Sequence, residues 1–207
     1  MKKIKKRSFS SQFWSQRYQE NRTGWDIGEI SSPLKHYIDH LENHQLKILI
    51  PGAGNAYEAQ YLFEKGFKNV FVADISETPL KNLKSRFPDF PKNQILHLDF
   101  FEIEDTFDLI FEQTFFCALP VASRLDYAKK SAELLKENGL QIGLLFSFPL
   151  TGKGPPFGGS KEEYLTYFSP YFEIEILEPC YNSIPPRQGN ELFFKFKKKP
   201  VNSGEKH

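Results

Sequence analysis

Gly52 and Gly54 follow the apolar run at 46–50, and Asp74 stands about twenty residues further on. A G-x-G turn lets the chain reverse tightly and lets a ligand approach the main chain with no Cβ in the way. An acid at the end of the next strand then binds a pair of ribose hydroxyls. The third glycine of the dinucleotide fingerprint is replaced by Tyr57. That ring argues against the pyrophosphate of NAD or FAD, which needs a helix N-terminus brought close. S-adenosylmethionine carries no phosphate, so the turn and the distant acid suffice for it. A bare G-x-G also occurs in turns that hold nothing; strand context and Asp74 are what favour a ligand here.

Other residues suit the same chemistry. Asp99 and Phe100 close a third apolar segment, where an acid accepts from an adenine amino group and Phe100 offers a backbone N–H or a ring edge. A turn or cap role fits Asp99 as well. Trp14, Tyr18 and Trp25 precede the first strand, placed to lie over a cofactor and exclude water, although core packing alone also accounts for such aromatics. Arg124 and Arg187 are permanent cations able to hold an anionic acceptor, against the plainer reading of surface salt bridges. Cys117, between Phe116 and Ala118, reads as a buried inert thiol rather than a nucleophile. His36, His40 and His44 have no acid or cysteine cluster to join them, and no metal site is expected.

The elements that position these residues follow from periodicity. The apolar run at 46–50 predicts a strand buried on both faces, and 55–66 predicts a helix with Asn55 as its cap and Gly66 closing it. Strands follow at 70–73, 95–98, 107–111 and 140–146. Helices are expected at 10–20, at 32–41 with Ser32 as cap and Pro33 at its first position, at 78–87, and from 121 to 137, where Asn138 and Gly139 end the last of them. The Gly- and Pro-rich stretch at 147–159 reads as an ordered loop, and a short helix after Ser160 carries Glu162 and Glu163 in its first turn. Strands at 172–177 and 192–197 end the pattern. These elements predict an α/β, Rossmann-like fold: a mostly parallel seven-stranded sheet, helices on both faces and an antiparallel final strand.

Composition bounds the function. The 207 residues are 40% hydrophobic and 15% aromatic, which suits a single globular domain. The segment 9–45 is expected to form a helical lid, and about 1–8 and 198–207 to be disordered. Lys and Arg number 27 against 26 Asp and Glu, so the net charge of +1 gives no electrostatic case for nucleic acid or an anionic membrane. Two cysteines do not make a disulfide framework, which points to a reducing cytoplasm. No window approaches the ~20 apolar residues of a membrane span, and the basic opening MKKIKKR is not followed by the apolar core of a secretion signal.

Several motifs occur in a fixed order over about 13–196: Trp14, Tyr18, Trp25-Asp26-x-Gly28, Pro51-Gly52-x-Gly54, Asp74-Ile75-Ser76, Phe115-Phe116-Cys117-Ala118, Arg124-x-x-Tyr127-Ala128, Gly154-Pro155-Pro156-Phe157 and Pro186-Arg187-x-Gly189. Together they resemble the thiopurine S-methyltransferase family, most closely its halide/thiol methyltransferase branch. The resemblance implies that Trp14, Tyr18 and Trp25 roof the site or touch the cofactor, that Gly52 and Gly54 lie against its methionine part, and that Asp74 and Ile75 hold the ribose. It implies further that Asp99 and Phe100 hold the adenine, that Glu112 belongs to the cofactor site, and that Trp25, Phe116, Arg124, Phe157 and Arg187 face the acceptor, with Arg124 helping catalysis. Tyr18 stands where the family usually has a second Trp, and Glu112-Gln113 replaces its usual Asp-Tyr or Asp-Arg pair, which bears on the acceptor.

The expected reaction is an in-line methyl transfer from S-adenosylmethionine to a small thiol, thiopurine, sulfide or halide by a monomeric protein, and it asks mainly for geometry and exclusion of water. Two other classes remain open on sequence. One is a non-catalytic S-adenosylmethionine-binding module, or a methyltransferase for another small molecule; the other is an NAD-dependent oxidoreductase, against which Tyr57 stands.

Overall fold

The computed structural model of the chain describes residues 9–152 and 154–200. Seven strands form one sheet: β1 (Ile48–Pro51), β2 (Val70–Ala73), β3 (Ile95–Leu96), β4 (Phe107–Gln113), β5 (Leu135–Phe146), β6 (Phe172–Pro179) and β7 (Glu191–Lys198). Their order is β3-β2-β1-β4-β5-β7-β6, with β7 antiparallel to both neighbours and the pairs from β3 to β5 all parallel. The strand order reverses at β1, so a crevice opens at the carboxyl ends of β1 and β4, where open α/β sheets bind their ligands.

Pleating divides the core into two layers. In β1, Ile48 and Ile50 face one side with Val70 and Val72 of β2, while Leu49 faces the other with Ile110 of β4. The first layer is covered by α2 (Ser32–Asp39), α3 (Tyr57–Glu64) and α4 (Glu77–Arg86), the second by α5 (Arg124–Leu134) and α6 (Lys161–Phe168). Leu34 and Ile38 of α2 are fully buried, each contributing about 1.5–3 kcal/mol. The helix therefore belongs to the core, and within 9–45 it is Phe9, α1 (Ser11–Gln19) and the chain between α1 and α2 that border the crevice. The hydroxyl of Ser10 caps α1 by accepting the Phe13 N–H at 3.2 Å.

Several boundaries differ from the sequence-based expectation. Helix α2 is preceded by Ser31 rather than capped by Ser32, and it ends at Asp39, short of 41. Asn55 does not cap α3; that place is taken by Ala56 in a left-handed conformation at φ 54°. Strand β3 is only two residues long, and α4 begins at Glu77. Most informative is the junction of α5 and β5. A helix to 137 was expected, with Asn138 and Gly139 ending it, but α5 stops at Leu134 because Leu135 already pairs with Phe107 of β4. The next pair is Leu140 with Leu109, so four residues of β5 oppose one of β4, a bulge accommodated by Asn138 at φ 59°.

The chain stays ordered beyond the expected end at 198. Lys198 closes β7 and its ammonium donates to the Leu135 carbonyl at 2.5 Å. The remainder of the expected disordered ends, 1–8 and 201–207, lies outside the described residues.

Candidate functional site

Gly52 leaves β1 at φ 55° and Gly54 follows at φ 53°. A Cβ on Gly52 would lie 2.1 Å from the Phe115 ring, and one on Gly54 would lie 2.9 Å from the Tyr18 hydroxyl. Both positions thus need glycine twice over, for the left-handed backbone and for the side chains pressed against it. Asp74 follows β2 on the same rim. Its Oδ2 accepts the Gly54 N–H at 2.9 Å and its Oδ1 accepts the Ser76 N–H at 2.8 Å, tying the turn to the strand end. Burial pushes the Asp74 carboxyl up, and these N–H donors pull it back. Lone pairs remain on both oxygens for a diol.

The turn and the acid border a cavity of about 490 Å3 at the carboxyl end of the sheet. Ile75, Leu98, Asp99 and Phe100 form one wall, and Asp99 also accepts the Phe101 N–H at 3.0 Å as the cap of a short 3-10 turn. Trp14, Tyr18 and Trp25 roof it: Trp25 meets Trp14 edge-on at 5.5 Å and Tyr18 at 5.8 Å. Cys117, Phe146, Pro155, Pro156 and Arg187 close the far end.

The roof is held in place by polar contacts. Asp26 Oδ1 accepts the Gly28 N–H at 2.8 Å, while its Oδ2 accepts from the Asn55 side chain. That contact is where Asn55 is used instead of as a helix cap. On the other side Arg187 donates to the Trp25 carbonyl at 2.7 Å, and Ser15 and Ser76 hydroxyls meet at 2.9 Å.

Of the residues singled out in the sequence, Trp14, Tyr18, Trp25, Gly52, Gly54, Asp74, Ile75, Asp99, Phe100 and Arg187 line the cavity, and Glu112, Phe116, Arg124 and Phe157 do not. Glu112 is 1% exposed. Its Oε1 accepts the N–H groups of Phe115 and Phe116, each at 2.8 Å, and its Oε2 accepts the Tyr127 hydroxyl at 2.5 Å. Strand alternation explains the placement: Gln113, the next residue of β4, turns to the cavity and accepts the Ser31 hydroxyl at 3.0 Å, which sends Glu112 beneath it.

Arg124 is fully buried below the far end of the cavity. It donates to Glu163 at 3.1 Å and to the carbonyls of Phe157 and Gly158 at 3.3 and 2.8 Å, with the Phe116 ring 4.8 Å beneath its guanidinium. Phe157 is held from the other side by its N–H, which donates to the Cys117 carbonyl at 2.7 Å. Arg124 therefore braces the 155–158 loop that forms part of the cavity wall. Burial, with the Glu112 carboxylate nearby, raises the Cys117 thiol, so the thiolate is disfavoured.

Among the lining residues that local sequence did not point to, Glu58 stands out. Glu58 sits in the first turn of α3 and is 7% exposed. An acid there looks like an ordinary response to the helix dipole, and only its place after the glycine turn signalled more. The histidines are accounted for locally: the His36 and His40 rings lie 4.6 Å apart, and His44 packs on Phe67. Among the described residues no group of three or more His, Cys, Asp or Glu is arranged to hold a metal.

Residues 9–202 match the family model described as thiopurine S-methyltransferase. The chain belongs to the thiopurine S-methyltransferase family. This methyltransferase is 30% identical over 195 residues to the probable thiol methyltransferase 2 of Arabidopsis thaliana, covering 91% of this chain and 86% of that one. It is 29% identical over 191 residues to thiocyanate methyltransferase 1 of the same plant, covering 89% and 84%. In fold it is similar to a Burkholderia thailandensis 1,6-didemethyltoxoflavin-N1-methyltransferase solved with S-adenosylhomocysteine, at TM-score 0.73 and 16% identity over 92% of this chain and 87% of that one.

The cofactor of this family member is S-adenosylmethionine, and the cavity suits it. A locked carboxylate lies beside a glycine turn, an apolar wall ends in an acid, and aromatic rings line the roof, side chains attractive to a sulfonium. The Tyr57 ring at the start of α3, with the Arg86 guanidinium over it at 4.4 Å, fills the place where the dinucleotide fingerprint has its third glycine.

Proposed function

We propose that this S-adenosylmethionine-dependent methyltransferase methylates a small, soft, anionic acceptor: a thiol or hydrosulfide, a thiopurine-like thiolate, or an ion such as thiocyanate or a halide. The observation that carries the reading is Arg187, a guanidinium only 8% exposed that lines the cavity among Trp25, Phe146 and Pro155. Its partner Glu191 stands at 3.4 Å with its carboxyl pushed up by burial, so the guanidinium keeps charge to offer an anion that sheds water easily, and sulfur or halide anions do so more readily than oxyanions.

The cofactor supplies an activated methyl carbon when bound. Asp74 would hold its ribose, Asp99 and Phe100 its adenine, and the Gly52 to Gly54 turn its amino-acid end. Trp14, Tyr18 and Trp25 close the roof and exclude water, so the acceptor meets the methyl carbon in line without competition. Arg187 orients the acceptor's charge. Glu112, Phe116, Arg124 and Phe157 act one step away, by fixing the 115–118 turn and the 155–158 loop. In this reading the protein works as a monomer on small molecules, without nucleic acid. A reducing cytoplasm suits its two unpaired cysteines, and no helix among the described residues is long and apolar enough to cross a membrane.

The test is S-adenosylhomocysteine formation by the purified protein with a panel of hydrosulfide, aliphatic and aromatic thiols, a thiopurine, thiocyanate, iodide and an amine control. Turnover restricted to the sulfur and halide acceptors supports the proposal. Turnover of the amine alone overturns it, and cofactor binding without any turnover would favour a non-catalytic module.

A further inference from the structure

The carboxylate of Glu58 reaches the cavity without an assigned task. Apart from its own main-chain N–H, none of the described residues offers it a hydrogen-bond donor. A buried carboxylate left this way is costly unless a ligand or a proton completes it. The charges that act on it come from three other segments: Arg187 from the loop between β6 and β7, Asp26 from the roof, and Arg86 from α4, with Arg187 the strongest of the three. Tyr57 on its own helix and Asp74 across the turn are further titratable groups of the same cavity lining. Glu58 thus stands within the influence of the cation that the proposed function assigns to the acceptor.

Acceptors of this type fall into two groups. Thiocyanate and iodide arrive as anions, whereas an aliphatic thiol holds a proton that must leave before or as its sulfur attacks. Resting on the function proposed above, we propose that Glu58 is the proton acceptor for thiol substrates and that Arg187 holds the thiolate formed beside it. The S–H proton passes to the Glu58 carboxylate, and the sulfur lone pair forms the new bond to the methyl carbon. The bond from that carbon to the sulfonium breaks with its electrons on the departing sulfur, giving a methyl thioether and S-adenosylhomocysteine. Glu58 returns its proton to water as the products leave. Burial supports the assignment, because it pushes the Glu58 carboxyl up to about 7, where a carboxylate is a useful base at neutral pH.

The experiment compares Glu58→Gln with wild type on an aliphatic thiol and on acceptors already ionised at the assay pH: thiocyanate, iodide and an acidic aromatic thiol. In the variant, the ratio of aliphatic-thiol to pre-ionised turnover should fall by about 100-fold or more. The rise of wild-type thiol kcat/KM through about pH 7 should disappear, and Glu58→Asp should restore part of it. Independently of activity, infrared titration of the S-adenosylhomocysteine complex should show a carboxyl band in wild type that is missing from Glu58→Gln. Equal losses on both acceptor groups, with weaker S-adenosylhomocysteine binding, would overturn the assignment and give Glu58 to the cofactor's ammonium. An unchanged ratio or no missing carboxyl band would also overturn it. Wild-type protein inert toward every thiol and anion would instead sink the function proposed above, and this inference with it.

Discussion

Arg187 donates from Nη2 to the Trp25 carbonyl at 2.7 Å, joining residues 162 positions apart in the chain. Its Nη1 faces Glu191 at 3.4 Å, and both side chains are buried. The Glu191 carboxyl still lies above its usual range because burial outweighs the guanidinium. Arg187→Met removes the cation from this buried acid and the clamp from the roof. Unfolding in urea should show a loss of about 3–5 kcal/mol, with Arg187→Lys intermediate. A loss under about 1 kcal/mol would place the pair among those that contribute no net stability.

Asp74→Ala should weaken S-adenosylhomocysteine binding by about 2–3 kcal/mol, roughly 30- to 150-fold, because the ribose loses two charge-assisted hydrogen bonds. Titration calorimetry reads this directly. An unchanged Kd would move the ribose away from β2.

Gly52→Ala forces a Cβ to within 2.1 Å of the Phe115 ring at a residue whose φ is 55°. The expected cost exceeds about 1 kcal/mol from the backbone alone, and displacement of Phe115 should reduce cofactor affinity as well. Thermal unfolding and calorimetry on one preparation separate the two effects.

Burial raises the Glu112 carboxyl from 4.5 to about 7. Between those values the folded protein holds a proton that the unfolded chain has released, so this group's contribution to stability is complete below about 4.5 and is lost as pH rises through about 7. The fall is at most on the order of 3 kcal/mol. Glu112→Gln should flatten it, since an amide still accepts the N–H bonds of Phe115 and Phe116. Urea midpoints at pH 5 and pH 8 test this, and an equal pH slope in both proteins would exclude Glu112 as its source.

Arg124→Met leaves the Phe157 and Gly158 carbonyls without their donor. Cleavage by a broad protease within 149–160 should become faster, the acceptor KM should rise, and S-adenosylhomocysteine affinity should stay within about twofold of wild type, because Arg124 itself lies outside the cavity and acts only through the loop. A loss confined to kcat, with the loop still resistant, would return Arg124 to the reacting centre.

The sequence by itself determined the unit from β1 to Asp74, the run of α/β elements and the roof aromatics. Those features rest on local rules: apolar runs and a left-handed turn that only glycine makes cheaply. The tertiary structure decided what neighbouring chain segments impose. Strand pairing with Phe107 ended α5 at Leu134, and the pleat of β4 sent Glu112 beneath the cavity while Gln113 faced it. The carbonyls of a distant loop hold Arg124 outside the cavity, and tertiary burial beside charges from three other segments turned Glu58 from an ordinary helix-terminus acid into a buried one. Burial and charge pairing depend on residues far apart in the chain, which local periodicity does not record.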